Sequence, residues 1–187
     1  WKLNYNAAYA IGVDLEIGEI NIAILNLGGE VIKKKKYDVE RVDNVEDLSF
    51  QVIDSVKNII KSSKIDEKKI LGLGIAIAGI VNHETGVVLN TDVIPQLNVS
   101  LSKVSEEFEF PVVVENNANA AAIGEKWVGS AKECKNYLSV LIVLGTRVGG
   151  LGIGVVINEE LYHGASSCSG ELNAVLPNFR YTLATFK

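Results

Sequence analysis

The order of strands and helices predicted for the first part of the chain begins again after Gly129. Before this glycine, the apolar pattern predicts three strands, a helix, a strand, a second helix, another strand and a third helix. After it, Tyr137–Leu144 and Leu151–Ile157 predict a new pair of strands joined by a glycine-rich turn. Such a repeat indicates two copies of one α/β unit, and the second copy stops early within the 187 residues.

The first three predicted strands are expected to form an antiparallel meander. They span Tyr9–Leu15, Glu19–Leu27 and Val31–Val39, and glycines stand at the tight turns that connect them. Asn44 is expected to cap a helix from Val45 to Ser62, because apolar residues recur along this segment at helical spacing.

Two further strands and two further helices complete the predicted first lobe. Ile70–Ala78 is a continuous apolar run, which is typical of a strand covered on both faces. Leu101–Phe108 and Ala118–Trp127 predict helices, and the strand Pro111–Glu115 between them delivers two asparagines at its carboxyl end. This order of elements resembles the actin-like, ribonuclease-H-like architecture, an α/β fold.

Composition limits the classes of function. Hydrophobic residues make up 48% of the chain and charged residues 22%, which predicts a folded protein. A net charge of −5 gives no basic footprint for nucleic acid. The basic run Lys33–Lys36 is interpreted as a solvated strand end, with a phosphate-binding patch as the alternative.

Other features predict a cytoplasmic protein. No apolar run approaches the roughly 20 residues of a membrane helix, and the start of the chain lacks a signal-peptide pattern. Cys134 and Cys168 do not form a CxxC pair, which indicates a reducing compartment and no zinc site.

Five segments in order resemble the ROK family, which groups sugar kinases with sugar-responsive transcriptional repressors. The similarity spans about residues 9–172 and rests on Gly12–Leu15, Gly74–Val81, Glu115–Ala122, Gly145–Gly150 and Gly164–Glu171. It implies a linker remnant at residues 1–8, an actin-like lobe at 9–128 and the start of a second lobe at 129–187.

The phosphate-binding turns of the family's kinases are altered in this chain. Their first turn resembles D-x-G-G-T, whereas Asp14 is followed two residues later by Glu16, whose carboxylate would repel phosphate oxygens. In the second turn Arg147 stands where a kinase usually has glycine. The alternative for each turn is a plain hairpin, made at the first turn by Gly18. The resemblance therefore implies a vestigial phosphate site at Asp14, Gly145, Thr146, Gly149 and Gly150.

The sugar site is expected to persist without a general base. The kinases resemble E-N-D-A-N, and Asn117 replaces the aspartate that accepts the sugar proton. The family pattern G-E-x-G-H keeps its glutamate but has Asn173 and Ala174 in place of glycine and histidine, so neither a metal nor a cofactor is expected. The resemblance implies sugar contacts at Gly79, Asn98, Asn116, Asn117 and Glu171.

Plainer roles compete for three of these residues. Asparagine is favoured at helix caps, so Asn116 or Asn117 could cap the following helix, and Asn98 could be a turn residue.

Together these features predict the sugar-sensing effector domain of a ROK-type regulator, not an enzyme. Its expected partners are a sugar, DNA through a helix-turn-helix domain that lies outside this chain, and a second copy in a homo-oligomer. The alternatives are an ATP-dependent sugar kinase and a dimerisation scaffold that binds no ligand.

Overall fold

The computed structural model describes residues 1–143 and 150–172, and the chain divides into two compact units, Trp1–Asn116 and Asn117–Lys187. The first unit holds a five-stranded sheet and its helices, and the second holds a helix and a three-stranded sheet. The lobe bounds given by the family resemblance, residues 9–128 and 129–187, stay a prediction.

The predicted meander is confirmed. Strands β1 (Tyr9–Glu16), β2 (Glu19–Asn26) and β3 (Val31–Asp38) pair antiparallel in sequence order. Strands β4 (Ile70–Ile77) and β7 (Val112–Asn116) then extend the sheet parallel to β1, which gives the order β3-β2-β1-β4-β7.

Helix α1 (Val45–Ser63) begins where its capping residue predicts. The Asn44 side chain accepts a hydrogen bond from the Asp47 amide at 2.8 Å, which satisfies one of the free donors of the first helical turn. Alternate residues of β1, β2 and β4 form the core with the apolar stripe of α1. Burial of each such Val, Leu or Ile side chain stabilises the fold by about 1.5–3 kcal/mol.

Strand β4 differs from the expectation that both of its faces are covered. Leu73, Ile75 and Ile77 are buried on the core side, whereas Gly72 and Gly74 on the other side stay partly exposed among the described residues. The run reads as continuously apolar because glycine and alanine fill its second face, and these residues need little covering.

A short hairpin follows β4 and was not predicted. It consists of β5 (Gly79–Val81) and β6 (Val88–Thr91), joined by a turn in which Asn82 accepts hydrogen bonds from the Glu84 and Thr85 amides. Helix α2 (Ser102–Glu107) comes next, within one residue of the predicted bounds at each end.

The segment before β1 is hydrogen-bonded to the end of β2 through Tyr5 and Asn6. A 3-10 turn at Tyr5–Ala7 precedes β1, and the Asn6 side chain accepts a hydrogen bond from buried Asn26 at 3.0 Å. The Leu27 amide also donates to the Tyr5 carbonyl oxygen at 3.0 Å. The role of this segment as a linker stays a prediction.

In the second unit, helix α3 (Asn117–Trp127) packs on a sheet of order β10-β9-β8. The strands are β8 (Tyr137–Val143), β9 (Gly150–Ile157) and β10 (Glu160–Leu161). Glycines of β9 let the helix approach closely, since a Cβ added at Gly154 would contact the Ala122 Cβ at 2.5 Å. Within 1–143 and 150–172, no helix is both long enough and apolar enough to cross a bilayer.

Candidate functional site

The candidate site of the first unit is built around the peptide that joins β4 to β5. Gly79 has a φ of +139°, a conformation that side chains of L-residues rarely adopt. A Cβ at this position would overlap the Asn90 carbonyl oxygen and lie 2.9 Å from the Thr91 Cα. The sharp departure of β5 from β4 therefore requires glycine here.

Asn116 reaches this glycine from the end of β7. Its buried side chain donates a hydrogen bond from Nδ2 to the Gly79 carbonyl oxygen at 2.7 Å. Its own amide donates to Oε1 of Glu115 at 2.8 Å. The structure thus brings together two predicted sugar contacts, through a bond that the sequence did not predict.

Thr91 holds the adjacent peptide, and the sequence analysis missed this residue. Its hydroxyl donates to the Ala78 carbonyl oxygen at 2.7 Å and accepts from the Val93 amide at 3.1 Å. Thr91 is buried and pairs with Gly79 in the hairpin register. Threonine in front of a turn is a signal for the contact with Val93, but nothing local indicates the contact with Ala78.

Asn98 is a turn residue in the structure. It is exposed and adopts a φ of +55°, a left-handed conformation that asparagine tolerates better than most residues. Its amide donates to the Leu89 carbonyl oxygen at 3.2 Å, which fixes the segment beside β6. Its contact with a sugar stays a prediction.

The remaining predicted sugar contacts belong to the second unit. Asn117 is the first residue of α3 and is partly exposed. Glu171 follows Gly170, which has a φ of +80° and whose added Cβ would overlap the Ile153 carbonyl oxygen. Burial raises the pKa of the Glu171 carboxyl above its ordinary range. The loop thus holds a carboxyl group that is partly withdrawn from water.

The predicted vestigial phosphate residues are described in part. Asp14 lies within β1, and the strand continues for two residues beyond it, to Glu16. Burial raises the pKa of Asp14, the charge of Glu16 raises it further, and a hydrogen bond with Asn21 opposes the shift. Gly150 begins β9, whereas Gly145, Thr146 and Gly149 lie outside the described residues.

The first turn forms the hairpin that was given as the alternative. Gly18 has a φ of +75° between β1 and β2, and Glu16 pairs with Glu19 across it. A hydrogen bond with Lys36 lowers the pKa of Glu19, and Asn21 also donates to this carboxylate at 2.8 Å. The hairpin therefore carries three carboxyl groups, which is unfavourable for the approach of an anion.

The described residues contain no group of three or more His, Cys, Asp or Glu side chains that could hold a metal ion. Cys134 and Cys168 are exposed thiols. The polar groups at the β4–β5 junction are the Asn116 amide, the Thr91 hydroxyl and backbone carbonyl groups, all of which are chemically suited to hydrogen-bond hydroxyl-bearing ligands.

Comparisons with known proteins agree with the sequence resemblance. The model of the ROK family matches residues 10–181. A xylose repressor of Caldicellulosiruptor bescii is 35% identical over 182 residues, which cover 96% of this chain and 44% of the repressor. A glucokinase of Halalkalibacterium halodurans is 31% identical over 88% of this chain and 49% of its own length. The chain thus spans about half the length of these relatives, or less.

A solved structure gives the same result for the fold. The crystal structure of a ROK family transcriptional regulator, a homologue of the E. coli Mlc protein, superposes with a TM-score of 0.77 at 27% identity. The match covers 90% of this chain and 41% of that regulator. The actin-like α/β assignment is confirmed.

Proposed function

The chain belongs to the ROK family, and we propose that it is the sugar-sensing part of a transcriptional regulator that binds a sugar without phosphorylating it. The family contains both repressors and kinases, so the choice between them depends on the chemistry of the site. The observation that carries the proposal is Asn117, an amide at the position where the kinases of the family place their catalytic aspartate.

An asparagine cannot accept the sugar proton near neutral pH, because its amide oxygen is a hydrogen-bond acceptor but not a useful base. Loss of a positioned general base typically lowers a rate by about 10²- to 10⁴-fold. The same amide retains both donor and acceptor groups for hydroxyls. The substitution therefore slows proton transfer from the sugar strongly and keeps groups that can recognise it.

The phosphate side of the site supports the same proposal. Asp14, Glu16 and Glu19 lie on one hairpin, and Lys36 is the cation that neutralises part of their charge through Glu19. A kinase must hold the negative phosphates of ATP close to its first turn, and like charges there raise the energy of the complex.

Sensing requires that the sugar prefers one of two arrangements of the regulator. A sugar held by the groups that the family resemblance implies would shift the population toward the arrangement that it binds more tightly. The affinity for DNA would then change by the same coupling free energy. With a net charge of −5, the chain itself is not the proposed DNA-binding part, which we assign to a helix-turn-helix domain elsewhere in the full-length cytoplasmic homo-oligomer.

The test uses the full-length protein and three sugars that appear in the names of its relatives. D-xylose comes from the xylose repressor, D-glucose from the glucokinase and N-acetyl-D-glucosamine from an N-acetyl-D-glucosamine kinase. We expect calorimetric titration to show binding of at least one of them. The same sugar is expected to change the affinity for DNA from the protein's own promoter region. A coupled assay with Mg-ATP is expected to show no turnover of any of the three.

A matched pair of variants locates the sugar. We expect Glu171→Ala to weaken binding by about tenfold or more, since a hydrogen bond to a charged partner contributes roughly 1.5–3 kcal/mol. Glu160→Ala, an exposed glutamate of β10, is the control and should leave affinity unchanged. Equal affinities for both variants would show that Glu171 lies outside the site.

The kinase alternative is favoured by one observation, the glucokinase relative at 31% identity. Turnover at about 1 per second or faster with any of the three sugars would establish it. Failure of every sugar to bind, together with an intact oligomer, would instead favour the scaffold that binds no ligand.

A further inference from the structure

The hydroxyl of Thr91 is buried within the β5–β6 hairpin and is hydrogen-bonded to the backbone of the β4–β5 junction. It donates to the Ala78 carbonyl oxygen at 2.7 Å and accepts from the Val93 amide at 3.1 Å. Val93 is itself buried, so an amide that lost this acceptor would have little access to water.

The peptide held by Thr91 is adjacent to the peptide held by Asn116. Thr91 binds the carbonyl oxygen of Ala78, and Asn116 binds the carbonyl oxygen of Gly79 at 2.7 Å. Consecutive carbonyl groups share one backbone, so a rotation of the first peptide displaces the second. The orientation of the Asn116 amide thus depends on a hydroxyl that comes from a different strand.

We propose that Thr91 is a positioning residue for the candidate sugar site, which acts by fixing the Ala78–Gly79 backbone to which the Asn116 amide is bonded. This inference rests on the proposed function, because the sugar is the ligand whose affinity it controls. Thr91 is not among the sugar contacts that the family resemblance implies.

The turn between β5 and β6 supplies a control of the same residue type. Thr85 accepts a hydrogen bond from the Val87 amide at 3.3 Å, as Thr91 does from the Val93 amide, but Thr85 is exposed. Thr91 differs in that its hydroxyl also donates to the backbone of the β4–β5 junction. Substitution of either threonine by valine preserves the shape of the side chain and removes the hydroxyl.

The experiment compares Thr91→Val, Thr91→Ser and Thr85→Val in the full-length protein, titrated with D-xylose and D-glucose. We expect Thr91→Val to weaken binding by about tenfold, the factor that corresponds to the loss of one buried hydrogen bond. Thr91→Ser retains the hydroxyl and should restore most of the affinity, and Thr85→Val should bind as the parent does. Thermal melts establish that each variant is folded at the titration temperature.

A double-mutant cycle separates positioning from a general loss of stability. If Thr91 acts through Asn116, Thr91→Val should change affinity much less in an Asn116→Ala background than in the parent. Equal effects in both backgrounds, or unchanged affinity of Thr91→Val, would overturn the inference while the parent still binds sugar. Failure of the parent protein to bind either sugar would instead count against the proposed function, and the positioning role would fall with it.

Discussion

Replacement of Gly79 by alanine tests the geometry at the centre of the site. The φ of +139° is strained for any residue with a Cβ, and such strain costs about 1–3 kcal/mol. The added Cβ would also overlap the Asn90 carbonyl oxygen, a backbone atom that cannot rotate away as a side chain would. Forced overlap in a packed region costs roughly another 1–3 kcal/mol, so we expect Gly79→Ala to lose about 2–6 kcal/mol of stability.

The turn of the same hairpin provides the matched control. Gly86 also has a positive φ, at +69°, but a Cβ added there would meet no atom closer than the Val114 Cβ at 4.0 Å. Gly86→Ala should therefore lose only the cost of a left-handed conformation, about 1–2 kcal/mol. The difference between the two variants isolates the overlap with the backbone of Asn90.

Denaturant unfolding of the full-length protein, followed by circular dichroism and by fluorescence, measures both variants. The transition that involves the first unit should move to lower denaturant for Gly79→Ala than for Gly86→Ala. We also expect Gly79→Ala to weaken sugar binding, since relief of the overlap moves the carbonyl group that holds Asn116. The reasoning about the hairpin would be refuted if Gly79→Ala and Gly86→Ala unfolded at the same denaturant concentration.

Three further substitutions test other parts of the structure. Because burial raises the pKa of Asp14, its ionisation opposes folding, and stability should fall as the pH rises through the folded pKa. Thermal melts of Asp14→Asn should therefore lie above those of the parent at neutral pH, and this difference should disappear at about pH 3, where the carboxyl group of the parent is protonated. Asn26→Ala removes a buried side chain that is hydrogen-bonded to Asn6 and to the β2–β3 turn, and we expect urea unfolding to show a free energy of unfolding lower by about 2–4 kcal/mol. The control Asn136→Ala, whose side chain accepts an exposed hydrogen bond from the Asn158 amide, should lower it by about 1 kcal/mol. Asn117→Asp restores a carboxylate base but leaves the acidic hairpin, so a coupled Mg-ATP assay should still show no turnover; sugar phosphorylation by this variant would show that the missing base alone separates the chain from a kinase.

Local patterns were sufficient to predict most of the first unit. The meander follows from short alternating runs with glycine turns, and helix α1 follows from its capping asparagine and apolar spacing. The β5–β6 hairpin was missed because β5 has three residues and β6 has four, too short for a periodic signal. Its existence depends on Gly79, whose unusual φ is a property of the folded backbone.

The candidate site shows a sharper limit. The family resemblance selected Asn116, and local chemistry offered two roles for it, a helix cap or a sugar contact. The structure adds a hydrogen bond to Gly79, which lies 37 residues earlier in the chain. Capping rules describe neighbours within one turn, so they contain no information about such a distant carbonyl group. Thr91 was missed for the same reason, since its partner Ala78 is 13 residues away.

The two adjacent asparagines differ in a way that their shared motif conceals. Asn116 ends β7 in the first unit, is buried and is bonded to the backbone, whereas Asn117 begins α3 in the second unit and is partly exposed. Removal of a buried amide that is bonded to the backbone is expected to lower stability, and removal of a partly exposed amide at a helix start is expected to change stability less. Asn116→Ala should therefore lower both the melting temperature and sugar affinity, whereas Asn117→Ala should lower affinity with a smaller change in melting. Equal losses of stability in the two variants would contradict the expectation that the buried amide of Asn116 contributes more to folding than the amide of Asn117.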